Sequence, residues 1–153
     1  MKNKNIILKE LLNLTKKAIK NNEVPNSAVL VDLNFKILFK AHNLNKSNNS
    51  ICEHAEIVVI NKAIKNNFEF NLKDLILIST HEPCMMCLGA IIHAKIKNII
   101  YLYDQPKFGF LNSNFNFDHT KINAKKLNLS LKESLQFKDK FNFFFLKLRN
   151  KNK

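Results

Sequence analysis

The sequence predicts an α/β protein whose sheet carries both antiparallel and parallel strand pairs, and three observations predict it. Stretches with helical apolar spacing alternate with short apolar runs of strand length. Two of those runs, Ser27–Val31 and Lys36–Lys40, are joined by the turn Asp32-Leu33-Asn34, and so short a connection makes an antiparallel hairpin. Two others, Leu75–Thr80 and Lys97–Tyr103, are joined through a helical stretch from Cys84 to about Ala94, a βαβ unit whose strands pair in parallel.

The elements follow in order. Ile6, Ile7, Leu11, Leu14, Ala18 and Ile19 recur at helical spacing, which predicts an amphipathic helix from Ile6 to about Asn21. Glu23-Val24-Pro25-Asn26 stops it and the hairpin follows. Asn43 to Ser50 is a polar loop. A helix is expected from near Cys52 to about Asn66, burying Ile57, Val58, Ile60, Ala63 and Ile64. After the βαβ unit, Asp104 to about Thr120 shows little periodicity and is expected to be a long functional loop. A short strand is expected near Leu127–Leu131. The last helix, roughly Lys132 to Arg149, should turn Phe137, Phe141, Phe144, Phe145 and Leu148 inward. One exposed Phe of that helix is a candidate for stacking on a nucleotide. There is no internal repeat and no linker, so residues 1–153 are expected to form one domain.

Composition narrows the class. Hydrophobic residues make up 46% of the chain, 13 of them Phe, enough for a core without Trp. No apolar run is long enough to span a membrane, and Lys9 and Glu10 interrupt the apolar positions behind the basic start, against a secretory signal. Three cysteines, two of them in a C-x-x-C, do not suit a disulfide framework, so a reducing, cytoplasmic compartment is expected. The net charge of +13 suits a polyanionic partner such as nucleic acid, or compositional drift in an AT-rich genome. The most basic stretch is the last one, from Lys121 to Lys153.

The chemistry lies in Thr80-His81-Glu82-Pro83-Cys84-Met85-Met86-Cys87 and in His54-Ala55-Glu56 upstream. Cys84 and Cys87, three apart at a helix start marked by Pro83, put two sulfurs on one helical face. A helix N-terminus favours thiolate, the metal-binding form. Two sulfurs under-ligate a zinc ion, whereas a catalytic zinc site has three protein ligands and an open position for water. His54 can supply the third, and Glu56 is suited to move protons on that water. H-x-E followed by P-C-x-x-C is the signature of zinc-dependent nucleobase deaminases, which replace a ring amino group by oxygen from water.

At these residues the chain resembles the cytidine/deoxycytidylate deaminase superfamily, and within it the bacterial tRNA-specific adenosine deaminases. The resemblance covers about Glu23 to Asn112. It is carried by E-V-P-x-x-A-V-L-V at Glu23–Val31, H-A-E-I at His54–Ile57, E-P-C-M-M-C-x-G-A-x-I-H at Glu82–His93 and D-Q-P-K-x-G at Asp104–Gly109. The Phe-rich, basic-ended final helix looks like the family's C-terminus. The resemblance implies a three-layer α/β/α fold of the cytidine deaminase type, with a five-stranded mixed sheet, usually assembled as a homodimer. It implies one zinc ion on His54, Cys84 and Cys87, with Glu56 as proton shuttle. Asn43 falls on the family Asn that bonds the target base, and Asp104 on the loop that holds flanking nucleotides. The implied substrate is the wobble adenosine in the anticodon stem-loop of an arginine tRNA, converted to inosine. Four positions depart from the family pattern: Asn26-Ser27 for Val-Gly, Glu53 for a small residue, His81 for an apolar residue, and Gln105 for a second acid.

Other readings use the same residues. The C-x-x-C could be a redox pair or half of a structural zinc site closed by Cys52 or His81, though both of these suit packing roles better. His42, His93 and His119 are given no metal role, and Met85 and Met86 are packing residues. Glu82 suits a helix-start acid. The substrate could instead be a free base or nucleoside such as guanine or cytosine, or the chain could be a zinc-stabilised nucleic-acid-binding module.

Overall fold

The computed structural model describes residues 3–66, 71–111 and 121–151. Its elements are α1 (Lys4–Lys20), β1 (Ser27–Val31), β2 (Ile37–His42), α2 (Ala55–Lys65), β3 (Ile76–His81), α3 (Met85–His93), β4 (Asn98–Tyr103), β5 (Asn123–Lys126) and α4 (Leu131–Lys151). The strands form one five-stranded mixed sheet in the order β2-β1-β3-β4-β5. β1 is antiparallel to both β2 and β3, while β3, β4 and β5 are mutually parallel.

The inner strands are buried on both faces, which is why they read as continuous apolar runs rather than as alternation. Ala28 and Leu30 of β1, Leu77 of β3 and Ile99 of β4 pack with Val58, Val59 and Ala63 of α2 and with Leu88 and Ile91 of α3. On the opposite face Val29, Val31, Ile78 and Leu102 meet Ile7, Leu11 and Leu14 of α1 and Phe137 and Phe141 of α4. The result is three layers with a helix pair on each side of the sheet. Burying such side chains contributes about 1.5–3 kcal/mol each.

The differences from expectation have local causes. The fifth strand is Asn123–Lys126 rather than Leu127–Leu131. It is an edge strand held by its backbone to Asn98–Tyr101 of β4. Its side chains are exposed apart from half-buried Ala124, so no alternation marked it, and its lysines suit an edge that must not recruit another strand. Leu127 and Leu129 are half-buried against the α1/α4 face, and Leu131 is exposed at the start of α4. In α1 the inner face is Ile7, Leu8, Leu11, Leu14, Thr15 and Ala18, leaving Ile6 outside. In α2, Ala55 and Val59 are buried while Ile64 is exposed and Ile57 half-buried. Phe145 of α4 points out with Phe143, and Phe144 is buried. Of the long loop, 104–111 is described; His119 and Lys153 lie outside the described residues.

Register sets what the sheet delivers to one end. Ser27 pairs with His42 and Ala28 with Ser79. The start of β1, the end of β2 and the end of β3 therefore converge, and α2 and α3 begin beside them.

Candidate metal centre and active site

Three of the sequence-predicted residues meet here. His54 is the N-cap of α2 and Cys84 the N-cap of α3, both with extended backbone, and Cys87 lies one turn into α3. His54 Nδ1 lies 3.7 Å from Cys84 Sγ and 3.4 Å from Cys87 Sγ, and the two sulfurs are 3.7 Å apart. Tetrahedral zinc with bonds of ~2.3 Å to sulfur and ~2.0 Å to nitrogen needs edges of ~3.8 Å between sulfurs and ~3.5 Å between sulfur and nitrogen. The triangle has the shape of a three-ligand metal site, and a nitrogen and two thiolate sulfurs are a donor set that suits zinc.

The helix ends and near neighbours polarise the triad. Contact with Cys87 holds the Cys84 thiol down to about 4, against the opposing effect of burial. The Cys84 contact and burial push the Cys87 thiol up. The pair thus loses one proton readily and its second only with difficulty, until a cation is bound between them. Contact with Cys84 also raises the His54 imidazole.

Neither alternative fourth ligand is present. Cys52 is exposed in the preceding loop. His81 packs on Phe141 at 4.6 Å and Tyr103 at 5.9 Å between ring centroids, and burial lowers its pKa to about 4. Among the described residues, His54, Cys84 and Cys87 form the one His/Cys/Asp/Glu group that could hold an ion.

Glu56 is 1% exposed, with Oε2 3.7 Å from Cys87 Sγ. Its position in the first turn of α2 brings a carboxylate to the flank of the triad without ligating it. Burial pushes its carboxyl above the ordinary range, opposed by hydrogen bonds from its own N–H and from Asn26. Asn43 is buried as well. Its Oδ1 accepts from Ala55 N at 2.8 Å, so it ties the end of β2 to the first N–H of α2. Asp104 stands beyond the end of β4, half-exposed and ion-paired to Lys126.

The sequence reading did not identify two anchors. Glu82, read as a helix-start acid, is 3% exposed and accepts from Gln105 N at 3.1 Å and Leu111 N at 2.7 Å, tying the 105–111 loop to the cysteine turn. Phe110 N adds a bond to Pro83 O at 3.1 Å. Glu23 is 1% exposed and accepts from Lys46 N, Ser47 N and Ser47 Oγ, fixing the polar loop that leads to His54. The signal available was an acid two residues before a cysteine or a proline in each motif, Glu82-Pro83-Cys84 and Glu23-Val24-Pro25.

Comparison with known proteins agrees with this geometry. A family model described as MafB19-like deaminase matches residues 2–149. A tRNA-specific adenosine deaminase of Rickettsia felis is 39% identical over 106 residues, 69% of this chain and 74% of the relative. One from Haemophilus influenzae is 33% identical over 148 residues, 96% of this chain and 86% of the relative. A structure solved in a study of A-to-I editing by tRNA:A34 deaminases superposes with a TM-score of 0.73 at 29% identity, over 87% of this chain and 96% of that one. A guanine deaminase from Bacillus subtilis superposes with a TM-score of 0.61 at 27% identity, over 97% and 94%. The chain thus matches the MafB19-like deaminase family over nearly all its length, and its relatives show that it belongs to the tRNA-specific adenosine deaminase family.

Proposed function

We propose that the protein hydrolytically deaminates the wobble adenosine of a tRNA to inosine, using one zinc ion held by His54 Nδ1, Cys84 Sγ and Cys87 Sγ. The observation that carries this reading is the metal-shaped triangle with the buried Glu56 carboxylate 3.7 Å from its Cys87 corner. When bound, zinc supplies the Lewis acidity that makes water a nucleophile at neutral pH. Glu56 is the proton carrier. Its carboxylate takes a proton from the attacking water and delivers it to N1 of the purine as the oxygen joins C6. The remaining hydroxyl proton then passes through the same carboxylate to the departing amino group, so adenosine and water leave as inosine and ammonia.

The Asn43 oxygen is committed to Ala55, which leaves the amide nitrogen as the end to meet an acceptor on the base. Glu82 and Pro83 hold the 105–111 loop beside the cysteine turn, which supports assigning that loop, and Asp104 at its start, to the flanking nucleotides. An anticodon loop offers splayed bases, so extrusion of the target costs little. The arginine tRNA and the homodimer rest on the family resemblance, and the cytoplasmic location on the cysteine usage. Among the described residues no helix is long and apolar enough to cross a membrane.

The deciding experiment is nucleoside analysis of a tRNA with wobble adenosine after incubation with zinc-loaded protein. Inosine at that position supports the reading and unconverted adenosine overturns it. The likeness to a guanine deaminase at 27% identity favours one alternative, a free-base deaminase. Ammonia release from guanine or cytosine with no action on RNA would establish that instead. A Glu56→Ala protein that still binds RNA, from a parent with no turnover, would mark a zinc-stabilised binding module.

A further inference from the structure

Asn26 occupies a position the catalytic motifs do not include, and it touches three parts of the site. Its Nδ2 lies 3.1 Å from Glu56 Oε1 and 3.1 Å from Glu56 Oε2, so one amide group donates equally to both oxygens of the carboxylate. Its Oδ1 accepts from Thr80 Oγ1 at 2.6 Å and from Ser27 N at 3.0 Å. Those two donors settle which end of the amide is oxygen, so the nitrogen is held toward Glu56. Its backbone oxygen accepts from Asn43 N at 3.2 Å. Asn26 is 9% exposed and Thr80 is fully buried.

We propose that Asn26 is a positioning residue for the Glu56 carboxylate, with the Thr80 hydroxyl locking its amide in the donating orientation. The proposal rests on the deaminase reading above. In this chain, where Asn26 stands in place of the family's Val, the carboxylate that collects a proton from water and releases it at two different atoms has a fixed pivot. A single donor equidistant from both oxygens holds the end of the side chain at one place while leaving the outer edges of the carboxylate open to substrate. In a site with Glu56 1% exposed, water cannot substitute for that donor at low cost. The same amide couples the carboxylate to β3, which leads to the cysteines, and to Asn43.

Asn26→Leu keeps nearly the same volume and removes the donor. It is expected to lower kcat on an anticodon stem-loop by about 10-fold to 100-fold, with KM and zinc content unchanged. Thr80→Val should lower kcat by roughly fivefold, and Thr80→Ser should restore it. A thermal double-mutant cycle reads the contact without substrate: Asn26→Leu should lower Tm in the parent and by less in the Glu56→Ala background. A kcat for Asn26→Leu within twofold of the parent, or equal Tm losses in both backgrounds, overturns the proposal. If Asn26→Leu does not fold, the Thr80→Val and Thr80→Ser pair decides, and equal rates for the two overturn it. Absence of inosine with the parent protein overturns only the substrate reading, and the thermal cycle then decides whether Asn26 clamps Glu56.

Discussion

Gly109 lies directly against the buried carboxylate of Glu82, with no space between them for a side chain. A Cβ at Gly109 would overlap Glu82 Oε2 and come within 2.6 Å of Gln105 O. Both neighbours are fixed, since Glu82 also receives Leu111 N and Gln105 O receives Gly109 N. Gly109→Ala should therefore force the loop off Glu82 and destabilise the fold by about 1–3 kcal/mol. Urea denaturation checks this, and an unchanged midpoint would show that the loop yields freely.

Glu56 should separate catalysis from metal binding. Glu56→Gln keeps the shape and one of the two acceptors for Asn26 but cannot carry a proton. Deamination should fall by about 10²- to 10⁴-fold with metal content intact. Metal analysis beside a turnover assay tests this; loss of metal together with activity would make Glu56 a ligand instead.

Removing a corner of the triangle should do the reverse. His54→Ala or Cys87→Ser should abolish stoichiometric zinc and activity together, whereas Cys52→Ser, at an exposed thiol, should leave both within twofold of the parent. A chelator should reproduce the loss, and added zinc should reverse it. Zinc retained by Cys87→Ser would redirect the site to another donor.

His81 should make stability fall in mild acid. Burial against Phe141 and Tyr103 lowers its folded pKa to about 4, below the ordinary value of 6.5. Above 6.5 both folded and unfolded chains carry a neutral ring and the group contributes no pH dependence. Between 6.5 and about 4 the unfolded chain binds the proton first, so stability declines as pH falls through that window. The decline should amount to about 1–3 kcal/mol. Unfolding midpoints from pH 7 to pH 4 should be flatter for His81→Phe; equal slopes would refute the assignment.

Asn43 holds Ala55 N and, in the proposed reaction, would also meet the base; substitution separates the two tasks. Asn43→Ala loses the acceptor for Ala55 N and should cost about 1 kcal/mol of stability as well as activity. Asn43→Asp keeps the acceptor and loses the amide donor, so stability should hold while kcat/KM on RNA falls about 10-fold or more. Parallel melting and kinetic measurements test the split, and an active Asn43→Asp protein would assign Asn43 to the cap alone.

The two halves of the triad were legible because each is local: Cys84 and Cys87 share a helical turn, and His54 and Glu56 share a helix start. That the halves meet across 30 positions was carried by the motif's resemblance to known deaminases, not by spacing. The inner strands were legible because Val29, Leu77 and Ile99 leave few alternatives to burial. β5 was not, because the backbone of β4 holds it and only Ala124 turns inward.

From residues alone came the α/β class, the hairpin, the parallel pair and the chemistry of an imidazole, two thiols and a carboxylate, since each depends on neighbours a few positions apart. The folded chain decided what those groups lean on. Asn26 reaches Glu56 across 30 positions and Glu82 reaches Leu111 across 29, through a strand register that pairs Ala28 with Ser79. No local pattern encodes such partners, because they are set by which strand ends the packed core brings together.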